Sequence, residues 1–120
     1  MRKLYALLAG IFMTLLASTT YARPVTPDVA NFNVSINHET KNVVFTNTST
    51  LGDEPGRRRA YWSFGDGNGQ WTLPLAGTQH QYQHPGTYTI CLKIYRYRSN
   101  HGDSVLSSQI CKTIVINTVC

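Results

Sequence analysis

The sequence predicts an all-β fold, an antiparallel sandwich of about seven short strands. Three observations carry that expectation. From residue 31 onward apolar and polar residues alternate with period two, and almost nothing follows the 3.6-residue period of a helix. Clusters of Gly, Asn, Asp and Pro interrupt the alternation about every 8–12 residues, the spacing of sandwiches and barrels. The 120 residues hold no internal repeat and leave room for one domain.

The first segment stands outside that domain. Arg2 and Lys3 precede an apolar run from Leu4 to Leu16, and Thr20-Tyr21-Ala22 leads into Arg23-Pro24. This order predicts a secretory signal peptide over residues 1–22, cut after Ala22. The run is shorter than the roughly 20 apolar residues of a membrane anchor, and no later stretch is long enough to span. Residues 23–30, rich in proline and polar groups, are expected to be a linker, 31–117 the domain and 118–120 a tail.

Within the domain, Phe32, Val34 and Ile36 alternate with Asn33, Ser35 and Asn37 as a half-buried strand. His38 to Lys41 read as a turn, and Val43 to Thr46 as the second strand. Residues 50–59, with Gly52, Pro55 and Gly56, read as a loop ending in Arg57-Arg58-Arg59. Tyr61 to Phe64 form a third strand, stopped by Gly65 to Gly69. Gln70 to Leu75 suit a short edge strand, since Pro74 cannot donate to a ladder. Gln79 to Tyr82 lead to the turn Pro85-Gly86, and Thr87 to Tyr97 make a long strand with Tyr88, Ile90, Leu92 and Ile94 on one face. A hairpin at Asn100 to Asp103 leads to the last strand, Val105 to Asn117. Lys112 shares the apolar face of Ile110, Ile114 and Ile116, a conflict that a bulge or strand end would relieve.

Export places the three cysteines in an oxidising compartment, secreted or periplasmic, where disulfides are favoured over metal or redox chemistry. A hairpin centred on His101 sets Cys91 opposite Cys111 on the outward faces of their strands, so these two are expected to pair and Cys120 to remain. Loss of residues 1–22 leaves nine basic against six acidic residues, +3, too weak a surplus to indicate nucleic acid.

Two stretches resemble a known family. Trp62-Ser63-Phe64-Gly65-Asp66-Gly67 resembles the W-x-F-G-D-G signature of PKD domains, and His80-Gln81-Tyr82-Gln83-His84-Pro85-Gly86-Thr87-Tyr88 resembles their H-x-Y-x-x-P-G-x-Y stretch. Ser63 departs from the aspartate common there. The resemblance spans about residues 31–117 and implies an immunoglobulin-like sandwich of the PKD type. The residues also have physical roles of their own. Trp62 and Phe64 should fill the core, Gly65 and Gly67 suit positive φ, and Asp66 can accept backbone N–H groups in the turn. Tyr88 fits a tyrosine corner, and His80 and Tyr82 share a face as scaffold.

Chemistry at these residues is not expected. Asp66 and Asn68 have the opening spacing of a calcium loop, but the glycine and closing glutamate of an EF-hand are missing. His80 and His84 lie on an extended segment without a nearby cysteine or carboxylate, so zinc is not expected. Apart from the neighbours Asp53 and Glu54, the acidic residues are scattered singly, with no nucleophile or acid–base setting, and no cofactor is implied. Asn33-Val34-Ser35 and Asn47-Thr48-Ser49 matter only in a glycosylating host.

One end of the sandwich does attract attention. In an immunoglobulin-like fold residues 50–59 and 98–104 lie at the same end, gathering Arg57, Arg58, Arg59, Arg96 and Arg98 beside Tyr95 and Tyr97. Asp53, Glu54 and Asp103 oppose them, for a local balance of +2. This end is the candidate surface for an acidic or sugar-rich partner. PKD domains are generally non-catalytic and occur in surface proteins and beside the catalytic domains of secreted hydrolases. The resemblance therefore implies a binding module contacting polysaccharide or protein. The alternatives are a structural subunit tethered through Cys120 to another exported protein, and, more remotely, an accessory factor or inhibitor of a secreted enzyme.

Overall fold

The computed structural model describes residues 24–98 and 102–119. The expected signal peptide, Cys120 and the tip of the last hairpin lie outside the described residues. Seven strands follow in order: β1 (Phe32–Asn37), β2 (Asn42–Asn47), β3 (Arg57–Ser63), β4 (Gly69–Thr72), β5 (Thr78–Gln81), β6 (Gly86–Tyr97) and β7 (Ser104–Ile116). A three-stranded sheet runs β1-β2-β5 and a four-stranded sheet β4-β3-β6-β7, every pair antiparallel. This is the sandwich that the alternation predicts.

Alternation sends one set of side chains from each sheet into the core. Phe32, Val43 and Phe45 come from the three-stranded sheet; Trp62, Ile90, Leu92, Ile94 and Ile116 come from the other. Trp62, fully buried, sits with its ring centroid 5.3 Å from Phe32 and 5.5 Å from Phe45. Burying an indole contributes roughly 4–6 kcal/mol at about 25 cal/mol per Å². Its Nε1 is buried without an acceptor, which costs about 1–3 kcal/mol, so burial of the ring wins.

The hairpin register is as expected: Cys91 faces Cys111 and the two form a disulfide, Cα atoms 4.1 Å apart. The β1–β2 turn closes on Asn37, whose Oδ1 accepts the N–H groups of Glu39 and Thr40, while Lys41 takes a positive φ of 61°.

Three segments differ from the sequence expectation. Arg57 to Arg59 are the first residues of β3, paired with Tyr97, Arg96 and Tyr95 of β6. A run of arginines carries no apolar alternation, so only the long β6 partner reveals the strand. Lys112 keeps its inward position without a bulge, donating from Nζ to the Phe32 carbonyl and lying 5.0 Å from the centre of the Phe32 ring. The irregularity falls instead where Ile94 pairs with Ser108 and Tyr95 with Leu106, leaving Ser107 as the extra residue. Finally, the segment read as a linker is bound to the domain. Val29 and Thr50 exchange backbone hydrogen bonds of 2.8 and 2.9 Å, and Ala30 is buried.

Candidate functional site

Pairing of β3 with β6 divides the arginine run by face. Arg58 lies on the side of Ala60 and Trp62, pointing inward, whereas Arg57 and Arg59 point outward with Tyr61. Arg58 makes two bonds to Asp28, Nε to Oδ2 at 3.1 Å and Nη2 to Oδ1 at 3.0 Å, and a third to the Gly56 carbonyl. Asp28 is buried and also accepts from the Gly52 N–H at 2.7 Å and the Ser107 hydroxyl at 2.5 Å. Burial pushes the Asp28 carboxyl up, but the bonds from Arg58, Ser107 and Gly52 outweigh it and hold the group below its usual 3.8. Arg96, on the same inner side, bonds Glu54 at 3.3 Å and the Pro55 carbonyl. The structure therefore gives two of the seven surface candidates, Arg58 and Arg96, internal partners. Arg98 is exposed beyond the end of β6.

The remaining candidates form part of a larger cluster on the outer face of the four-stranded sheet. Register places them in rows: Arg57 beside Tyr97, Arg59 beside Tyr95 and Leu106, then Trp71 beside Tyr61 and Lys93. Arg59 holds its guanidinium carbon 4.8 Å from the centre of the Trp71 ring, and Arg57 lies 5.7 Å from that of Tyr97. Trp71 contacts Tyr61 and Tyr95 at 5.0 and 5.5 Å, with planes inclined by 57° and 46°. Gly69 makes room for this packing, because a Cβ there would meet the Tyr61 hydroxyl at 2.0 Å. Strands β3, β4, β6 and β7 contain no Asp or Glu. Among the described residues, no carboxylate lies within ion-pair distance of Arg57, Arg59 or Lys93. Tyr61, Trp71 and Lys93 were not among the sequence candidates. Their signal was available in principle, since Tyr61 alternates with Trp62 and must face outward.

The family-motif residues sit at the other end and serve the scaffold. Gly65 and Gly67 take φ of 83° and 93°, and Asp66 accepts the Asn68 N–H inside the turn. A Cβ on Gly65 would lie 2.6 Å from the Thr89 carbonyl. The sequence offered Asp66 no partner; the structure supplies His80, whose Nε2 lies 2.7 Å from Oδ2. Burial pushes the Asp66 carboxyl up, yet hydrogen bonds from His80 and Asn68 hold it below its usual 3.8. The His80 ring stacks on Phe64 at 4.2 Å and 5°, and meets Tyr82 edge-on. Tyr82 donates to the Phe64 carbonyl at 2.7 Å, and burial pushes its phenol pKa up. Past Pro85-Gly86, Tyr88 donates to the His84 carbonyl at 2.6 Å, the expected corner. His80 and Asp66 are held by stacking and hydrogen bonds. Among the described residues no three His, Cys, Asp or Glu side chains come together as a metal site, and no helix is long and apolar enough to cross a membrane.

Two antiparallel sheets and a tyrosine corner define an immunoglobulin-like sandwich module. The family model described as PKD domain matches residues 22–109, most of the chain, and the protein belongs to the PKD domain family. PKD domains are generally non-catalytic modules. The PKD1 domain of the Vibrio cholerae metalloprotease PrtV is similar at 26% identity and a TM-score of 0.56, over 78% of this chain and all of that one. The PKD1 domain of Vibrio anguillarum Epp shares the fold at 22% identity and a TM-score of 0.58, over 80% of this chain and all of its own. A carbohydrate-binding module of the β-sandwich superfamily, described as promiscuous in specificity, is similar at 28% identity and a TM-score of 0.54; the match covers 75% of this chain but 34% of that one. No curated protein sequence matches the chain.

Proposed function

We propose that the protein is a non-catalytic binding module acting outside the cytoplasm, and that the outer face of its four-stranded sheet holds a surface polysaccharide. The observation that carries this reading is the cluster of four aromatic rings and three cations without carboxylate partners on one sheet face. Aromatic faces suit the apolar faces of sugars, and strands hold them more rigidly than loops. Similarity to a carbohydrate-binding module supports the ligand class, and the Cys91–Cys111 disulfide supports an oxidising compartment. Processing after Ala22 belongs to the same proposal, and the mature N-terminus of exported protein, read by mass spectrometry, is expected at Arg23.

Affinity electrophoresis of the disulfide-intact domain in gels containing different polysaccharides tests the binding reading. Retardation by at least one polymer is expected, with Trp71→Ala abolishing it at unchanged stability. A domain that no polymer retards, or one whose retardation ignores Trp71, refutes the proposal. The tethered-subunit alternative uses Cys120, the cysteine outside the Cys91–Cys111 pair. Non-reducing electrophoresis of exported protein should show a monomer; a disulfide-linked dimer or adduct would favour tethering.

A further inference from the structure

We propose that this face is selective for a single soluble chain of an acidic, uronate-type polysaccharide rather than for a neutral polymer or a crystalline surface. The inference rests on the reading of the face as a polysaccharide site and adds the charge and physical state of the ligand.

Charge comes first. The sheet that builds the face has no acidic residue in any of its four strands, yet it contributes six cations. Three of these, Arg58, Arg96 and Lys112, turn inward and meet Asp28, Glu54 and the Phe32 carbonyl there, although the Arg96 Nε is buried without a partner. The other three, Arg57, Arg59 and Lys93, turn outward, where no carboxylate among the described residues meets them. A solvated structural face normally mixes both signs, so a face of one sign adds attraction for an anion. Arg58, with two bonds to Asp28 and one to the Gly56 carbonyl, shows what a satisfied arginine looks like in this protein, and the outer set lacks that pattern.

Ordering of the guanidinium groups is the second point. Arg57 and Arg59 each lie over an aromatic ring. A guanidinium held over a ring keeps a fork of N–H donors at its rim, suited to a carboxylate through two parallel bonds. Holding the side chain in place beforehand lowers the entropy lost on binding. Arg57 and Arg59 are two residues apart on one strand, about 7 Å, so they can engage successive acidic groups along an extended chain.

Ring geometry sets the physical state. A crystalline polysaccharide presents a plane, and side chains that bind it must share a plane. Here Tyr61 and Tyr95 are inclined to Trp71 by 57° and 46°. Rings so tilted can follow a single chain that turns along its length, but cannot all lie on a flat lattice.

The test uses polygalacturonate as the acidic probe, its fully methyl-esterified form as the neutral counterpart, and microcrystalline cellulose as the flat surface. Calorimetric titration of the folded, disulfide-intact domain is expected to show binding to polygalacturonate that is about tenfold tighter than to the ester. That binding should weaken on raising ionic strength, since exposed charges are screened within roughly 8 Å at physiological salt. Arg57→Ser with Arg59→Ser should lose about tenfold, and Lys93→Ser part of that. Lys41→Asn, a cation removed from the β1–β2 turn at a position whose positive φ asparagine tolerates, should change nothing. Circular dichroism melts check that each variant is folded. Equal affinity for acid and ester, lost on Trp71→Ala, overturns the charge selectivity while leaving the face a polysaccharide site. Adsorption to cellulose overturns the single-chain reading. Binding to anionic phospholipid vesicles without binding to any polysaccharide overturns both.

Discussion

The Asp28–Arg58 pair ties the N-terminal segment to the sheet that carries the binding face, and its removal has a size that can be worked out. Asp28 accepts two hydrogen bonds from Arg58, one from Gly52 and one from Ser107, and the side chains of the pair are 1% and 9% exposed. Asp28→Ala strips these partners at once and leaves a guanidinium buried without its anion, a change that costs about 3–5 kcal/mol. A domain of this size has roughly 5–15 kcal/mol in total. Urea denaturation at pH 7 with the disulfide intact should therefore show the midpoint falling with little change in slope. In a thermal scan the transition should fall by at least about 12 °C. The double variant Asp28→Ala with Arg58→Met should recover part of the loss, because no charge is then stranded. Recovery stays partial, since the Gly52 N–H and Ser107 hydroxyl still lack their acceptor. A loss below about 1 kcal/mol for Asp28→Ala, the range of exposed pairs, would refute this account of the pair.

Other perturbations follow from the same structure. Trp62→Ala removes a fully buried indole that touches Phe32 and Phe45 and should cost about 3–5 kcal/mol, measured by denaturant titration; an unchanged curve would mean the sheet faces are assigned wrongly. Reducing the Cys91–Cys111 bond, which closes a sequence separation of 20, should cost about 3 kcal/mol, and peptide mapping of oxidised protein should join these two cysteines and not Cys120. Asp28 and Asp66 are both held below 3.8 in the folded state, so they stabilise above the unfolded value and lose that contribution as pH falls through their lower folded values. Melting temperature should thus hold near neutrality and decline below about pH 4, with a shallower decline in Asp28→Ala.

The strands were legible because alternation and turn residues act locally. Phe32-Val34-Ile36 and Ile90-Leu92-Ile94 declare their buried face within a few residues, and the β6–β7 hairpin brings Cys91 to Cys111 through register alone. What stayed hidden depended on partners distant in sequence. Arg57 to Arg59 looked like a loop, since strand pairing with Tyr95 to Tyr97 is the only sign of their alternation. The same pairing decides that Arg58 belongs inside and Arg59 outside, a distinction that alters what mutagenesis means. Exchanging all three arginines for serine would break the Asp28 pair as well as the outer face. Asp28 gave no local signal, because its partners are 24, 30 and 79 residues away. Tyr61 and Trp71 were readable as strand residues, but their meeting with Tyr95 required the strand order β4-β3-β6.

On the proposed reading, ligand binds the outer face of the four-stranded sheet. Amide and indole chemical-shift mapping of the isotope-labelled domain, titrated with the polysaccharide it retains best, tests this most directly. Shifts should concentrate at Arg57, Arg59, Tyr61, Trp71, Lys93 and Tyr95, with the Trp71 indole N–H among the largest. Shifts confined to the three-stranded sheet, around Ser35, Val44 and Gln79, would contradict it.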